Sequence, residues 1–334
     1  MRREWDPEVV VTPDLAARVI AVQWPELAHL PVCAFDAGWD NAVLAVGDDL
    51  LFRFIHRDIA LDGSRRELAV LPFVAGRLPL PVPEPVFVGR PTDEVPWPFW
   101  GGPMLAGVGL AEAGVPADRR GAIARGLGGF LRALHALSTD PAPADEPALA
   151  AVRAALPVDP IRRNQPAFVA MRVVERLEAL VAQAGAGSEV GRAAAAALRA
   201  SAGLRARAAQ LPAGPGRAVL HGDLHVRHVL VGAAPGAAAG ADPGAEPVAT
   251  GVIDWGDTQL GDPAVDLMVG WAAFEERERA AFLGAYGDVP PERAVHAQVL
   301  AIAVSASLAL QTQADGHAAV LAEALDGLRR ASGA

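Results

Sequence analysis

Two short apolar runs, Ala218-Val219-Leu220 and Val229-Leu230-Val231, predict buried strands on either side of a polar loop. That loop carries His221, Asp223, His225 and His228. A third run, Gly251-Val252-Ile253, ends on Asp254 and is placed to pair with the 229–231 strand as a hairpin. Near the start of the chain, Leu15, Val19, Ile20, Val22 and Trp24 recur at helical spacing until Pro25 stops them. Residues 42–46 and 50–54 predict a β-hairpin turned by Gly47-Asp48-Asp49, preceded by a loop that contains Gly38. Ser64-Arg65-Arg66-Glu67 has the form of a capping box, which predicts a helix opening at Ser64.

A proline-rich connector over 78–85 leads to further strands at 86–89 and 98–105, the second broken by Gly101-Gly102-Pro103. After that the period changes. Ile123, Leu127, Phe130, Leu131, Leu134 and Leu137 mark one face of a helix within 117–138, and His135 falls one position past this stripe, where packing or solvation is the ordinary reading. Helices are expected near 148–156, 166–184, 188–210, 263–274, 276–286, 291–311 and 317–330. Residues 141–147 read as a linker and 232–249 as an Ala/Gly/Pro-rich loop.

Composition narrows the chemistry. The formal net charge of −10 over 334 residues argues against a nucleic-acid footprint, which needs a basic face. All 29 basic residues are arginine. Without lysine there is no Schiff-base chemistry and no Gly-Lys-Ser/Thr phosphate loop, so any cation on a phosphate is Arg, His or a metal. Cys33 is alone, which excludes a disulfide framework. No signal-peptide pattern follows Arg2-Arg3-Glu4, and the apolar run at 299–304 is too short and too Ser- and Gln-flanked to span a bilayer, so a cytoplasmic protein with no membrane partner is expected.

Two chemistries could use the polar loop. One is metal-dependent hydrolysis, with His221, Asp223, His225, His228 and Asp254 around an activated water. The other is phosphoryl transfer: Asp223 and His228 repeat the spacing of a kinase catalytic loop, where an Asp meets the acceptor hydroxyl and a residue five positions on holds metal. The second has a specific parallel. His221-Gly222-Asp223 followed by Ile253-Asp254-Trp255 resembles the aminoglycoside phosphotransferase family. With His at 228 and Asp262-Pro263-Ala264-Val265-Asp266, the chain is most similar to the macrolide phosphotransferase-like branch.

That resemblance implies an α/β, two-lobed protein-kinase-like fold: a small β-rich nucleotide-binding lobe over 1–106 and a larger, mainly helical catalytic and acceptor-binding lobe over 107–334. It makes Asp223 the catalytic residue. His228 and Asp254 become metal ligands for Mg²⁺, with Mn²⁺ an option because imidazole suits softer ions. Gly38, Arg53 and Glu67 become nucleotide-binding residues for ATP or GTP, Arg53 standing where a kinase carries its phosphate-contacting lysine and Glu67 being the acidic partner that orients it. His221 and Asp266 support the loop, while His225 is given no role. The implied reaction is nucleotide-dependent phosphorylation of a small-molecule hydroxyl, with an antibiotic such as a macrolide or aminoglycoside as acceptor. A non-catalytic kinase-like binder is the remaining alternative.

Overall fold

A computed structural model describes residues 7–37, 41–137, 147–214, 216–234 and 246–334. Gly38 and most of the 141–147 linker and 232–249 loop expected from the sequence lie outside the described residues. The chain divides into two compact units, the first holding residues up to Arg77, Val82–Leu105 and Trp255–Thr258, the second the remainder.

The first unit is built on an antiparallel sheet. Helix α1 (Pro13–Gln23) starts under Thr12, whose Oγ1 accepts from the Leu15 amide at 3.2 Å, and Pro13 sits at a first-turn position that needs no amide donor. Its Leu15, Ala16, Val19 and Ile20 pack on Leu44, Val46, Phe52, Phe54 and Phe99 from the sheet. The strands are β1 (Val32–Ala37), β2 (Asn41–Val46), β3 (Leu50–Ile55), β4 (Phe87–Gly89) and β5 (Phe99–Pro103), in the order β1-β2-β3-β5-β4. Of the segment ahead of the β2–β3 hairpin, expected as a loop, the described residues up to Ala37 belong to strand β1. Gly101 and Gly102 do not break β5. A Cβ on Gly101 would lie 2.6 Å from the Phe52 ring, and one on Gly102 would lie 1.9 Å from the Glu84 carbonyl, so both glycines are there to let β5 approach its neighbours.

Helix α2 (Leu61–Val74) corrects a sequence expectation. It begins three residues before Ser64, at Leu61, and no side chain caps it. Ser64 is buried inside the helix, so the Ser-x-x-Glu pattern is not a capping box here and Glu67 owes its position to something else.

The second unit is mainly helical. After the short strand β6 (Val108–Gly109) come α3 (Gly121–Ala136), α4 (Pro147–Ala155), α5 (Pro166–Ala184), α6 (Glu189–Ala200) and α7 (Ala202–Ala208). The expected apolar face of α3 is fully buried from Ile123 to Leu134. Strands β7 (Ala218–Leu220), β8 (Val229–Gly232), β9 (Val248–Val252) and β10 (Gln259–Gly261) frame the polar loop, with β10 on β7 and β8 between β6 and β9. Val229 faces Val252 in the antiparallel register expected of that hairpin. The remaining helices are α8 (Ala264–Leu267), α9 (Val269–Ala273), α10 (Glu276–Tyr286), α11 (Pro291–Asp315) and α12 (Ala318–Ser332).

Helix α11 is longer than the apolar run suggested. Its Pro291–Gln313 stretch is long and apolar enough to cross a membrane, which corrects the judgement made from 299–304 alone. In this fold 72% of its apolar window is buried, so that surface is used by packing, chiefly against α5 and α12.

Candidate active site

The loop after β7 is held from below by one carboxylate. Asp266, on the short helix α8, accepts the His221 amide at 2.8 Å and the Gly222 amide at 2.9 Å. The same side chain takes a hydrogen bond from His135 Nε2 at 3.1 Å, and His135 Nδ1 lies 3.0 Å from the hydroxyl of Tyr286. Burial alone would raise the Asp266 carboxyl, but His135 and the loop amides outweigh it and hold the group below the ordinary carboxylate range. Gly222 adopts φ +89°, which a side chain would resist, so the turn that presents Asp223 needs glycine.

The histidines sort by tautomer. His221 Nδ1 accepts the Asp223 amide at 3.3 Å, so Nε2 carries the proton it donates to the Ile253 carbonyl at 2.9 Å. Fully buried, His221 is pushed down from its ordinary value and ties the loop to the strand end beside Asp254. His225 Nδ1 accepts the Arg227 amide at 3.4 Å, leaving its Nε2–H to face Asp223 Oδ2 at 3.4 Å. His228 Nδ1 donates to the Asp223 carbonyl at 2.8 Å, and its Nε2 lies 3.2 Å from Asp254 Oδ2. Burial pushes His228 down as well, while Asp254 opposes that shift, and its Nε2 faces a carboxylate oxygen. The donor set of one imidazole nitrogen and one carboxylate oxygen suits a divalent ion.

Asp223, His225 and His228 could also be seen as a three-ligand metal cluster, since one ligating atom of each lies within 4.8 Å of the others. The hydrogen bonds speak against that use. His225 spends its lone pair on a backbone amide, and Asp223 is engaged by His225 and by Arg163, whose Nη2 lies 2.9 Å from Oδ1. Burial would raise the Asp223 carboxyl, but Arg163 and His225 together hold it well below the usual carboxylate range. It is therefore ionised at any physiological pH, and 21% of its side chain is open to solvent. Asp254 is more open at 41% and sits at φ +67°, a left-handed conformation that costs a non-glycine residue roughly 1–3 kcal/mol and clusters at functional sites.

In the first unit, Arg53 on β3 and Glu67 on α2 form an ion pair at 3.3 Å, with Glu67 buried. The other Glu67 oxygen accepts from Trp100 Nε1 at 3.3 Å, and Trp100 stands directly across β3–β5 from Arg53. This pairing is what buries Glu67 in α2. Arg66, the preceding residue, donates to the Gly256 carbonyl at 2.7 Å.

The structure thus brings His221, Asp223, His228, Asp254 and Asp266 together and pairs Arg53 with Glu67. Sequence reasoning missed Arg163, His135 and Tyr286. Arg163 left no signal, being one arginine in a loop. His135 could have been noticed as a buried polar group beside a helix stripe, and Tyr286 as the single tyrosine of the chain.

Residues 31–298 match the phosphotransferase enzyme family. Among solved structures, the GDP complex of wild-type aminoglycoside 2'-phosphotransferase-IIIa is similar with a TM-score of 0.64, at 21% identity over 97% of this chain and 99% of that one. Macrolide 2'-phosphotransferase MphH from Brachybacterium faecium, as apoenzyme, gives 0.54 at 24% identity over 95% and 97%. At those identities they establish the kinase-like fold, with its antiparallel first unit and mainly helical second. The uncharacterized protein YcbJ of Bacillus subtilis (strain 168) is 31% identical over 114 residues, a match spanning about a third of each chain (32% of this one, 33% of YcbJ). Nothing in these likenesses points to a hydrolase, and with the family match covering most of its length the chain belongs to the phosphotransferase enzyme family.

Proposed function

We propose that this protein transfers the γ-phosphoryl group of ATP or GTP to a hydroxyl of a small molecule in the cytoplasm, with Asp223 meeting the acceptor. The observation that carries this reading is His228, which touches the Asp223 carbonyl with one nitrogen and Asp254 with the other. Asp254 and His228 would hold the divalent cation, Mg²⁺ by preference of its oxygen ligand and Mn²⁺ tolerated by the imidazole. A bound cation supplies charge neutralisation on the phosphates.

In the transfer, the acceptor oxygen forms its bond to phosphorus as the bond to the bridging oxygen of the nucleotide breaks. The hydroxyl proton leaves toward Asp223 and then to water. A carboxylate held this far below its ordinary range is a weak base, so its main work is to accept the hydroxyl's hydrogen bond and aim the oxygen, which suits a loose transition state that needs little proton abstraction. Arg53, fixed by Glu67, would contact nucleotide phosphates through a planar fork that a lysine does not reproduce. Gly38 is assigned to the same nucleotide site from the sequence resemblance.

For the acceptor, a macrolide or another bulky hydroxylated metabolite is favoured over an aminoglycoside. A polycation needs a carboxylate for each ammonium that leaves water, and the candidate positions are few: Asp257, Glu275 and Glu276, of which Glu275 is already paired with Arg330 at 3.0 Å. Antibiotic resistance is the role that such an acceptor would imply. The test is nucleotide consumption with Mg²⁺ or Mn²⁺ across macrolides, aminoglycosides, nucleosides and simple amino alcohols. Turnover confined to aminoglycosides contradicts the acceptor preference. Stoichiometric zinc with no nucleotide-dependent thermal shift contradicts phosphoryl transfer.

A further inference from the structure

The segment between α4 and α5 is built at some conformational expense. Asp159 and Arg162 both lie in the left-handed region, at φ +44° and +62°, a conformation that non-glycine residues seldom adopt. The segment is nonetheless fastened on every side. Asp159 Oδ1 accepts the Asn164 amide at 3.0 Å, the Asn164 side-chain oxygen accepts the Asp262 amide at 2.9 Å, and the Asn164 carbonyl accepts the Gly214 amide at 3.0 Å. The Leu260 amide donates to the Pro157 carbonyl at 2.9 Å. His296 on α11 donates through Nε2 to the backbone carbonyl of Arg163 at 2.8 Å.

All of this holds one residue in place. Arg163 projects a guanidinium that bonds the Gly222 carbonyl with Nη1 and Asp223 Oδ1 with Nη2 at 2.9 Å. One rigid fork therefore grips both the backbone of the loop and the carboxylate it presents, leaving Asp223 little freedom to rotate. His225 closes the other oxygen at 3.4 Å.

We propose that Arg163 is a positioning residue for phosphoryl transfer, delivered by the strained segment before α5 to fix the rotamer of Asp223 against the Gly222 carbonyl. This rests on the phosphotransfer reading above. Its consequence is that the non-helical segment between α4 and α5 sets the aim of the acceptor hydroxyl. Misaiming the carboxylate should lower turnover while leaving nucleotide binding alone.

The experiment compares wild type, R163M, R163K, R163A and D223N, with nucleoside diphosphate formation from Mg·ATP and Mg·GTP read with water as acceptor and with any acceptor that the panel yields. R163M is expected to lower kcat roughly ten- to a hundredfold, with nucleotide KM and melting temperature near wild type. R163K should recover part of the loss, and R163A should regain turnover when guanidinium is added at millimolar concentration but not when sodium replaces it. A kcat for R163M within twofold of wild type overturns the assignment. So does a fall in kcat that comes with a raised nucleotide KM, a lowered melting temperature and no rescue, because that is a folding role. Should R163M fail to fold, R163K decides: a kcat equal to wild type overturns the assignment, since an ammonium cannot grip the Gly222 carbonyl and Asp223 in one fork. D223N separates the two claims. Diphosphate formation by D223N equal to wild type, or none from wild type, defeats the phosphotransfer reading itself; an inactive D223N beside an unaffected R163M defeats only the role of Arg163.

Discussion

Asp223 and Asp254 both follow short strands of the second unit, yet their surroundings are built to opposite ends. Asp223 is gripped by Arg163 and His225, and its loop amides rest on a buried Asp266 that is itself braced by His135. Asp254 has about twice the exposure, a left-handed backbone and an imidazole nitrogen at 3.2 Å. The first arrangement fixes a direction. The second sets a carboxylate oxygen and an imidazole nitrogen facing each other, a donor pair that suits a divalent cation. Aiming a hydroxyl and holding a cation thus ask for different environments around the same side-chain type.

The largest expected effect comes from breaking the open member of that pair. D254A should lower transfer by roughly 10³-fold or more, because the charge neutralisation on the phosphates goes with the cation. D254G should lose as much activity yet melt no lower than wild type, since glycine takes φ +67° without strain. A D254G protein that is active, or markedly less stable, contradicts the account. Next is D223N, which keeps shape but removes the charged acceptor; transfer should fall by about 10²–10⁴-fold.

Asp266 sharpens the comparison from beneath. D266N places a side chain with its own donors against two loop amides and His135, and unfolding free energy should fall on the order of 3 kcal/mol, read by urea denaturation. The pH dependence of stability should be two-staged. His221 and His228 are held below 6.5 in the fold, so the unfolded chain binds more protons as pH drops through 6.5 and stability falls there. Asp223 and Asp266 are held below 3.8, so their contribution is present above that value and lost as pH falls beneath it. Denaturation midpoints from pH 8 to 2 (about one measurement per unit) check this, and D266N should blunt only the lower step.

In the first unit the expected effects are smaller. R53A should raise nucleotide KM by roughly tenfold with little change in acceptor KM, and R53K should not match wild type if the planar fork matters. S64A should change stability by less than about 0.5 kcal/mol, whereas a true N-cap would cost about 1.

Much of this was legible in the sequence because it is local. The strands at 218–220 and 229–231, the pairing of the second with the run ahead of Asp254, and the spacing of Asp223, His228 and Asp254 follow from alternation and turn residues within short windows. What stayed hidden is long-range. Arg163 reaches Asp223 across 60 residues, His135 reaches Asp266 across 131, and neither partner shows in the neighbouring sequence. The Ser64 reading failed for a related reason: Glu67 fits a local capping rule, but Arg53, the partner that the resemblance implied, and Trp100 hold its carboxylate.

The division of labour between the two carboxylates has a direct test in calorimetric titration of Mg·ATP and Mg·GTP into wild type, D223N and D254A. Binding by D223N with wild-type affinity, and its loss in D254A, is the predicted result. Unchanged affinity in D254A, or lost affinity in D223N, would contradict the assignment of metal holding to Asp254 and hydroxyl aiming to Asp223.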